Sequence, residues 1–323
     1  SSSSWYVDNR HEVKFNWDEA AGWKAFEKSL ALIDSLKEDP TSKLSGMVYP
    51  AQIDTCTEDL LKASITAATE RGITFTTHAA QSVMEFNIMV QRHGKTPIQW
   101  ADEIGILKSN SIIGHAIFID EHSWLHWATR KDLEILVKSK ASVAHCPTPF
   151  ARYGHVLEDF GRYKRAGVNL GIGTDTTPHN MIEEMRWAAI LGRVAAEDMF
   201  SVTTEDIFNA ATVDGAAALL RNDIGRLAPG MKADLILVDL NNPNMRPARD
   251  PLRSLIYAAA DRAVRDVFVD GTQVVADGKV LTMDMEGACN RVELAQKRMM
   301  EKVPSIDYAK RTIGELAPLS LLS

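Results

Sequence analysis

Asp175 is the residue whose type and position most directly suggest chemistry. It lies in the stretch VNLGIGTDTTPHNMIEEM, residues 168–185, where an apolar run ends and Pro178 breaks the chain before a helix expected to begin near Asn180. A carboxylate at the carboxyl end of a parallel strand faces the side of an α/β barrel that carries its chemistry. It can bind a metal or accept a proton there. The alternative is that Asp175 only caps the following helix, as Asp often does.

Three histidines, His78, His115 and His145, lie on or at the ends of other predicted strands. Because the carboxyl ends of parallel strands converge on one mouth of a barrel, we expect these imidazoles to meet Asp175 there. Imidazole nitrogens and carboxylate oxygens are ligands of first-row transition metals, with zinc the commonest and iron the alternative. A bound metal lowers the pKa of water to near neutral, and Asp175 could take the proton. A single buried histidine at a strand end is more often a hydrogen-bonded core residue than a ligand, and it is the shared placement of the three that favours the metal site. His179, just beyond Asp175, could line the pocket or be a solvated loop residue.

The elements that must position these side chains alternate along the sequence. Apolar runs predict strands, and apolar residues spaced three or four apart predict helices between them. The predicted strands span residues 43–51, 73–77, 111–119, 142–146 and 168–172. This alternation predicts an α/β fold with a parallel sheet, and the nearly all-apolar strands indicate that both sheet faces are covered. Residues 1–10 are polar and are predicted to form a loop.

The pattern changes in the last third of the chain. Short strands are predicted at residues 224–227 and 233–240, and hairpins over residues 264–278, which together indicate a small antiparallel β unit. Residues 287–302 return to a helical pattern, and the apolar tail LAPLSLLS suggests packing on the main domain or on a second subunit, as in a homodimer.

The composition excludes several classes of protein. The 323 residues carry 36 Lys+Arg against 43 Asp+Glu, a net charge of −7, which argues against a nucleic-acid-binding surface. No apolar run is long enough to span a bilayer, so no membrane partner is expected. The 3 cysteines are far apart in the sequence, which argues against a disulfide framework and for a cytoplasmic location. Neither a phosphate-binding glycine loop nor a G-x-S-x-G elbow occurs.

Four segments in order resemble the amidohydrolase superfamily: TTHAAQS, GHAIFIDE, VAHCPTP and GIGTDTTPHN. They are most similar to its branch of cytosine deaminase-like, guanine deaminase-like and triazine-hydrolase enzymes. The later segments RLAPGMKADLILVDL and VRDVFVDGTQVVADGKV resemble the trailing β-domain of that family, and the resemblance covers about residues 44–279.

The resemblance implies a (β/α)8 TIM-type barrel of the metal-dependent hydrolase type, with one metal and a small β-sandwich domain. It implies that His78 is a metal ligand, that His115 orients the hydroxide or the substrate, and that Asp175 is both a metal ligand and a proton shuttle. The segment His145-Cys146-Pro147 would shape the pocket.

The same resemblance divides the chain into three parts. We expect strands 4–8 of the barrel in residues 1–222, a β-sandwich portion in residues 223–285, and a helical segment that packs on the barrel in residues 286–323. The family's first strand carries an H-x-H pair that supplies two metal ligands, and no H-x-H occurs in this sequence. We therefore expect the barrel to be incomplete at the N-terminus, the chain being the C-terminal part of a protein of about 450 residues.

Gln81 is the second departure from the family pattern. Deaminases of this branch carry H-x-x-E after the fifth strand, and this sequence reads His78-Ala79-Ala80-Gln81. Glutamine can form hydrogen bonds but cannot exchange a proton. Glu85, one helical turn later, could replace the missing acid or could face solvent.

The sequence thus predicts a metal-dependent hydrolase that directs a metal-activated water at a C–N bond of a small heterocyclic substrate. This is the chemistry of aminohydrolases, deaminases and chlorohydrolase-like enzymes. The predicted catalytic residues are Asp175, His115 and Gln81, and the predicted metal ligands are His78 and Asp175. The predicted cofactor is one divalent transition metal, zinc or alternatively iron. The alternative function is a catalytically silent binding or assembly protein, which the missing H-x-H and the glutamine at position 81 favour.

Overall fold

The computed structural model of the chain describes residues 1–8, 12–38 and 43–321. The strands are β1 Ser3–Val7, β2 Val13–Trp17, β3 Phe75–Ala79, β4 Ser111–His115, β5 Ser142–His145, β6 Leu170–Ile172, β7 Leu235–Val238, β8 Val264–Val269, β9 Thr272–Ala276 and β10 Lys279–Val280. The helices are α1 Glu19–Leu36, α2 Glu58–Arg71, α3 Val83–His93, α4 Pro97–Glu103, α5 Asp132–Ser139, α6 Pro147–Ala151, α7 Phe160–Ala166, α8 Met181–Ala196, α9 Thr204–Ala211, α10 Val213–Ala218, α11 Pro251–Ser254, α12 Met285–Ile306 and α13 Ile313–Leu316.

A parallel sheet in the order β3-β4-β5-β6 forms the centre of the molecule, as the alternating pattern predicts. Its register places Ala79 opposite His115, and His145 opposite Ile172, so the carboxyl ends of the strands lie level with one another. The predicted strand at residues 43–51 is present only as two isolated parallel bridges, Val48 to Phe75 and Gln52 to His78. A continuous ladder is interrupted there because Pro50 has no N–H to donate.

Helices pack against this sheet, α2 on β3 and α8, α9 and α10 on β6. Phe75, Ile113, Val143 and Leu170, one from each strand, have no exposed surface, which explains the nearly all-apolar strands. Several helices begin at a side-chain cap, whereas α5, α6 and α10 have none. Thr57 accepts a hydrogen bond from the N–H of Leu60 at the start of α2, which satisfies a donor that the helix itself cannot pair.

The N-terminal segment differs from the predicted loop. Residues 3–7 pair with residues 13–17 as an antiparallel hairpin, β1–β2, whereas residues 9 and 10 of the predicted loop lie outside the described residues. The loop was predicted from the four polar serines. Two of them belong to β1, which continues with aromatic and β-branched residues that favour a strand. The hairpin rests on α3, where the guanidinium of Arg92 lies 4.1 Å from the ring centre of Phe15 and 5.4 Å from that of Trp17.

The last third of the chain contains the predicted antiparallel unit. Its four strands are ordered β10-β9-β8-β7 in one sheet. The strand predicted at residues 224–227 is wrong: these residues form bends, and Gly225 has a φ of +90°. A Cβ at Gly225 would lie 2.9 Å from the Cβ of Ala216, so this close approach to α10 takes the place of strand pairing.

The predicted C-terminal helix is present as α12, but none of its residues is buried. Its packing on the main domain stays a prediction, and residues 322 and 323 of the apolar tail lie outside the described residues. Among the helices of the described ranges, none combines the length and the apolar character that a membrane crossing requires.

Candidate active site

Three of the residues predicted from the sequence meet at one edge of the parallel sheet. His78 lies in β3, His115 is the last residue of β4, and Asp175 follows β6 by three residues. One ligand atom from each lies within 4.8 Å of the other two. This convergence follows from the parallel register, since all three strands end at the same level. The set includes His115 as a third donor group beside the two metal ligands expected from the sequence.

A hydrogen bond and a close neighbour fix the orientation of the His78 ring. Its Nδ1 lies 3.1 Å from the carbonyl oxygen of Ala51, which can only accept, so Nδ1 carries the proton and Nε2 keeps its lone pair. Gly114 on the neighbouring strand makes room for the ring, because a Cβ there would lie 3.2 Å from Cδ2 of His78. This arrangement leaves a free nitrogen of the kind that ligates a transition metal.

His115 is the most deeply buried member of the set, with 3% of its surface exposed. Its ring stacks on His78 at 5.2 Å between centres, and neither of its nitrogens has a hydrogen-bond partner among the described residues. Burial and the neighbouring His78 and His145 lower the pKa of His115 to about 3. It is therefore a neutral imidazole with one N–H donor and one lone pair free for a ligand. Unpaired buried polar atoms are rare in proteins and are typical of a site that binds something.

Asp175 faces the histidines and does not cap a helix. Its backbone has a φ of +54°, and its carboxylate Oδ2 lies 3.8 Å from Nε2 of His115. The N-cap of α8 is Asn180, whose side chain accepts from the N–H groups of Ile182 and Glu183. The capping alternative for Asp175 is therefore wrong. Since the side chain is 34% exposed, water can reach the carboxylate.

The donor set fits a divalent transition metal. Two imidazoles and one carboxylate match the ligand types that zinc and iron take in proteins, and the unpaired nitrogens of His115 are available for coordination. His145 ends the neighbouring strand β5 and is also buried, but it lies outside this set of three. Its predicted position in the segment that shapes the pocket stays a prediction.

Glu85 does not replace the missing acid at Gln81. Its carboxylate is fully buried and accepts the backbone N–H of Ala80 at 2.7 Å and that of Gln81 at 3.0 Å. Both oxygens thus hold the turn that follows β3, and neither is directed to solvent. The side-chain amide of Gln81 forms no hydrogen bond within the part of the chain that the structure describes, which leaves it free for a substrate.

Two neighbours of the site were not predicted from the sequence. The hydroxyl of Tyr49 lies 3.1 Å from Nδ1 of His78, and the ring of Phe150 lies 4.4 Å from that of His115. Tyr49 could have been found from its place beside the first parallel segment, but Phe150 enters through α6, a helix that no pattern indicated. His179 is exposed and lies 3.0 Å from the hydroxyl of Thr174, so it belongs to the loop around Asp175.

The chain is similar to known proteins in sequence and in fold. Residues 24–274 match the family model described as the amidohydrolase family. A 5-methylthioadenosine/S-adenosylhomocysteine deaminase of Natronomonas pharaonis is 33% identical over 278 residues, which cover 85% of this chain and 62% of the relative. The chain thus spans less than two thirds of the length of this curated relative.

Solved structures share the fold. An adenosine deaminase from Xanthomonas campestris with bound zinc superposes with a TM-score of 0.77 at 25% identity, covering 87% of this chain and 62% of the other. An atrazine chlorohydrolase from Arthrobacter aurescens, in complex with zinc, gives a TM-score of 0.74 at 20% identity and covers 84% of this chain and 60% of the other. The second likeness concerns the fold alone.

Proposed function

This chain belongs to the amidohydrolase family, and from that premise we propose that it is a metal-dependent hydrolase acting on a C–N bond of a small heterocyclic substrate. The observation that carries the proposal is the convergence of His78, His115 and Asp175 at the carboxyl edge of the sheet. The substrate class is supported by the names of the relatives, which are deaminases of adenosine-type compounds.

The proposed architecture extends the two sheets that the described residues form. The open parallel sheet is proposed to be an arc of a (β/α)8 barrel in residues 1–222, and the antiparallel sheet a part of a β-sandwich in residues 223–285. Residues 286–323 are proposed as a helical segment that packs on the barrel. A cytoplasmic location, a homodimer and the lack of a nucleic-acid or membrane partner stay predictions from the sequence.

In the proposed mechanism, His78 and Asp175 hold one divalent metal, with zinc as the first assignment and iron as the alternative. Such an ion supplies Lewis acidity that brings the pKa of water to near neutral. The Asp175 carboxylate, which solvent can reach, accepts the proton from the attacking water. His115 is neutral and donates its single N–H to the water-derived oxygen that adds to the ring carbon, while the electron pair of the attacked C=N bond moves to the ring nitrogen.

The proposed role of Gln81 differs from that of a glutamate at the same position. Its amide can hold a ring nitrogen of the substrate by a hydrogen bond, but it cannot deliver a proton to it. Asp175 therefore returns the proton to the leaving group, which makes it both the base and the acid of the reaction. A substrate whose leaving group needs little protonation is favoured by this arrangement.

The experiment is a paired measurement of metal content and hydrolysis. We expect the purified full-length protein to retain about one transition metal per chain and to hydrolyse an adenosine-type compound, and Asp175→Asn to lose turnover and to lower the metal content. Asp59→Asn, an exposed position on α2, is the matched control and should leave both unchanged. Wild-type turnover in Asp175→Asn would remove this residue from the mechanism.

Gln81 is the observation that favours a second function, a catalytically silent binding or assembly protein. Without a proton-exchanging residue at this position, a family member can keep the fold and bind a ligand without converting it. The same experiment separates the two: a protein that holds no metal and hydrolyses none of the heterocycles tested supports the silent function.

A further inference from the structure

Tyr49 contacts the candidate metal ligand His78, but it has no part in the mechanism proposed above. It follows Val48, whose N–H donates to the carbonyl oxygen of Thr74 and whose carbonyl oxygen accepts the N–H of Thr76, so the backbone before Tyr49 is fixed alongside β3. The ring of Tyr49 stands edge-on to that of His78, with 5.6 Å between the ring centres and 79° between the planes. Its hydroxyl oxygen lies 3.1 Å from Nδ1 of His78. This is the ring nitrogen that carries the proton, not the one that keeps its lone pair.

The other acceptor beside Nδ1 of His78, the carbonyl oxygen of Ala51, is shared among three donors. It accepts the backbone N–H of His78 at 2.9 Å and lies 3.1 Å from Nδ1 of the same residue. The hydroxyl of Thr77 donates to the same oxygen at 3.3 Å. A carbonyl oxygen has two lone pairs, so it cannot satisfy three donors fully. The hydroxyl oxygen of Tyr49 supplies the acceptor that the Nδ1–H group lacks.

The hydroxyl of Tyr49 is in the right state to accept this hydrogen bond. Burial and the charge of Asp175 raise the pKa of Tyr49, so the hydroxyl keeps its proton and is neutral. Apart from the contact with His78, it forms no hydrogen bond within the described ranges. Since a phenol can both donate and accept, its hydrogen is free to turn away from His78, which leaves an oxygen lone pair for Nδ1–H.

The remaining neighbours of the His78 ring restrict its position without choosing its tautomer. The ring of His115 stacks on it at 5.2 Å between centres, and the backbone of Gly114 lies close to Cδ2. Neither contact is a hydrogen bond to a ring nitrogen. In a histidine that binds a metal through one nitrogen, the hydrogen bond of the other nitrogen sets the tautomer and the ring orientation. For His78 this hydrogen bond depends on Ala51 and Tyr49.

We propose that Tyr49 is a positioning residue of the metal site, whose hydroxyl oxygen shares the Nδ1–H of His78 with the carbonyl oxygen of Ala51. The second acceptor keeps His78 in the tautomer and the orientation that leave the lone pair of Nε2 for a divalent metal. Because the hydroxyl acts through His78, it needs no contact with the substrate. This inference rests on the proposed function for the role of His78 as a ligand, but metal binding can be measured without hydrolysis.

The test is the affinity of the metal-free, full-length protein for zinc, measured by competition with a chromophoric chelator. We expect Tyr49→Phe to weaken zinc binding about tenfold, as is typical when a ligating histidine loses a hydrogen-bond partner. The melting temperature of the metal-free protein should stay the same, because the ring is kept. Tyr308→Phe is the matched control, since its side chain is 49% exposed against 53% for Tyr49 and lies between α12 and α13. It should bind zinc as the wild type does.

Thr77→Val provides a second background, because it removes one of the three donors to the carbonyl oxygen of Ala51. Thr77 is 1% exposed, and valine is a branched residue that favours a strand equally well. In the Thr77→Val protein the carbonyl has two donors for its two lone pairs, so Tyr49→Phe should weaken zinc binding only about threefold. A role of Tyr49 in packing alone would give the same loss in both backgrounds.

The outcomes separate this inference from the proposed function. A loss of zinc affinity in Tyr49→Phe that shrinks in the Thr77→Val background supports the inference even when no hydrolysis is detected, in which case the proposed function fails alone. Equal zinc affinity of Tyr49→Phe and the wild type overturns the inference and leaves the proposed function intact. Equal losses in the two backgrounds also overturn it. A wild-type protein that binds no zinc overturns both.

Discussion

Replacing Glu85 by glutamine tests how the turn that carries Gln81 is held. Burial and the charge of the neighbouring Asp54 raise the pKa of Glu85 from 4.5 to about 8, although two backbone N–H groups act in the opposite direction. Because the folded state holds this proton more tightly than the unfolded state, ionisation opposes folding. Between pH 4.5 and about 8 the free energy of unfolding should fall by up to about 1.4 kcal/mol per pH unit, to a total of roughly 5 kcal/mol.

Glutamine resembles the protonated acid, so Glu85→Gln removes this pH dependence. At pH 5 the variant should be less stable than the wild type by about 1–3 kcal/mol, because the amide nitrogen of glutamine cannot accept the second backbone N–H that an oxygen of Glu85 accepts. Above pH 8 the variant should be the more stable of the two by several kcal/mol. The measurement is urea unfolding followed by tryptophan fluorescence from pH 5 to pH 9, taken as the difference between variant and wild type.

Glu70→Gln is the matched control, because Glu70 is exposed on α2 and its replacement should give a flat difference over the whole pH range. The reasoning is refuted when Glu85→Gln is less stable than the wild type at every pH by a constant amount. That result would mean that the hydrogen bonds from Ala80 and Gln81 outweigh the desolvation, and that Glu85 is ionised throughout.

Three further substitutions test the scaffold around the site. Tyr163→Phe removes a buried hydroxyl that donates to the carbonyl oxygen of Ala116 at 2.7 Å, and it should lower the free energy of unfolding by about 1–3 kcal/mol in urea titration. Gly161→Ala should lower it by about 1–3 kcal/mol or more, because the new Cβ overlaps the backbone carbonyl of Ser201, and an unchanged melting temperature would contradict this packing. Thr203→Ala breaks the capping box of α9 and should cost about 1 kcal/mol in the same titration, with no effect on metal content.

The meeting of His78, His115 and Asp175 could be predicted from the sequence because it needs little more than strand order. Each residue ends or closely follows an apolar run, and parallel strands bring their carboxyl ends to one edge whatever the details of packing. The parallel bridge at Val48 lies in the strand predicted for residues 43–51, and the bridge at Gln52 lies one residue beyond it.

Other features depend on contacts between distant residues, which periodicity does not report. The hairpin at residues 3–17 is stabilised by Arg92, which lies far along the sequence on α3. The burial of Glu85 could not be predicted from the sequence either, because a glutamate at the start of a helix is typical of a solvent-exposed first turn. Phe150 reaches His115 only because α6 forms directly after β5, where two prolines had indicated a stop rather than a helix.

The turn after β3 decides which residue is available to give a proton to the leaving group of the substrate. Glu85 is the nearest carboxylate in sequence to Gln81, and both of its oxygens already serve the backbone of that turn. In the proposed mechanism the proton for the leaving group therefore comes from Asp175, the one carboxylate of the three-residue set. In that mechanism a single group both removes the proton from water and returns it to the leaving group.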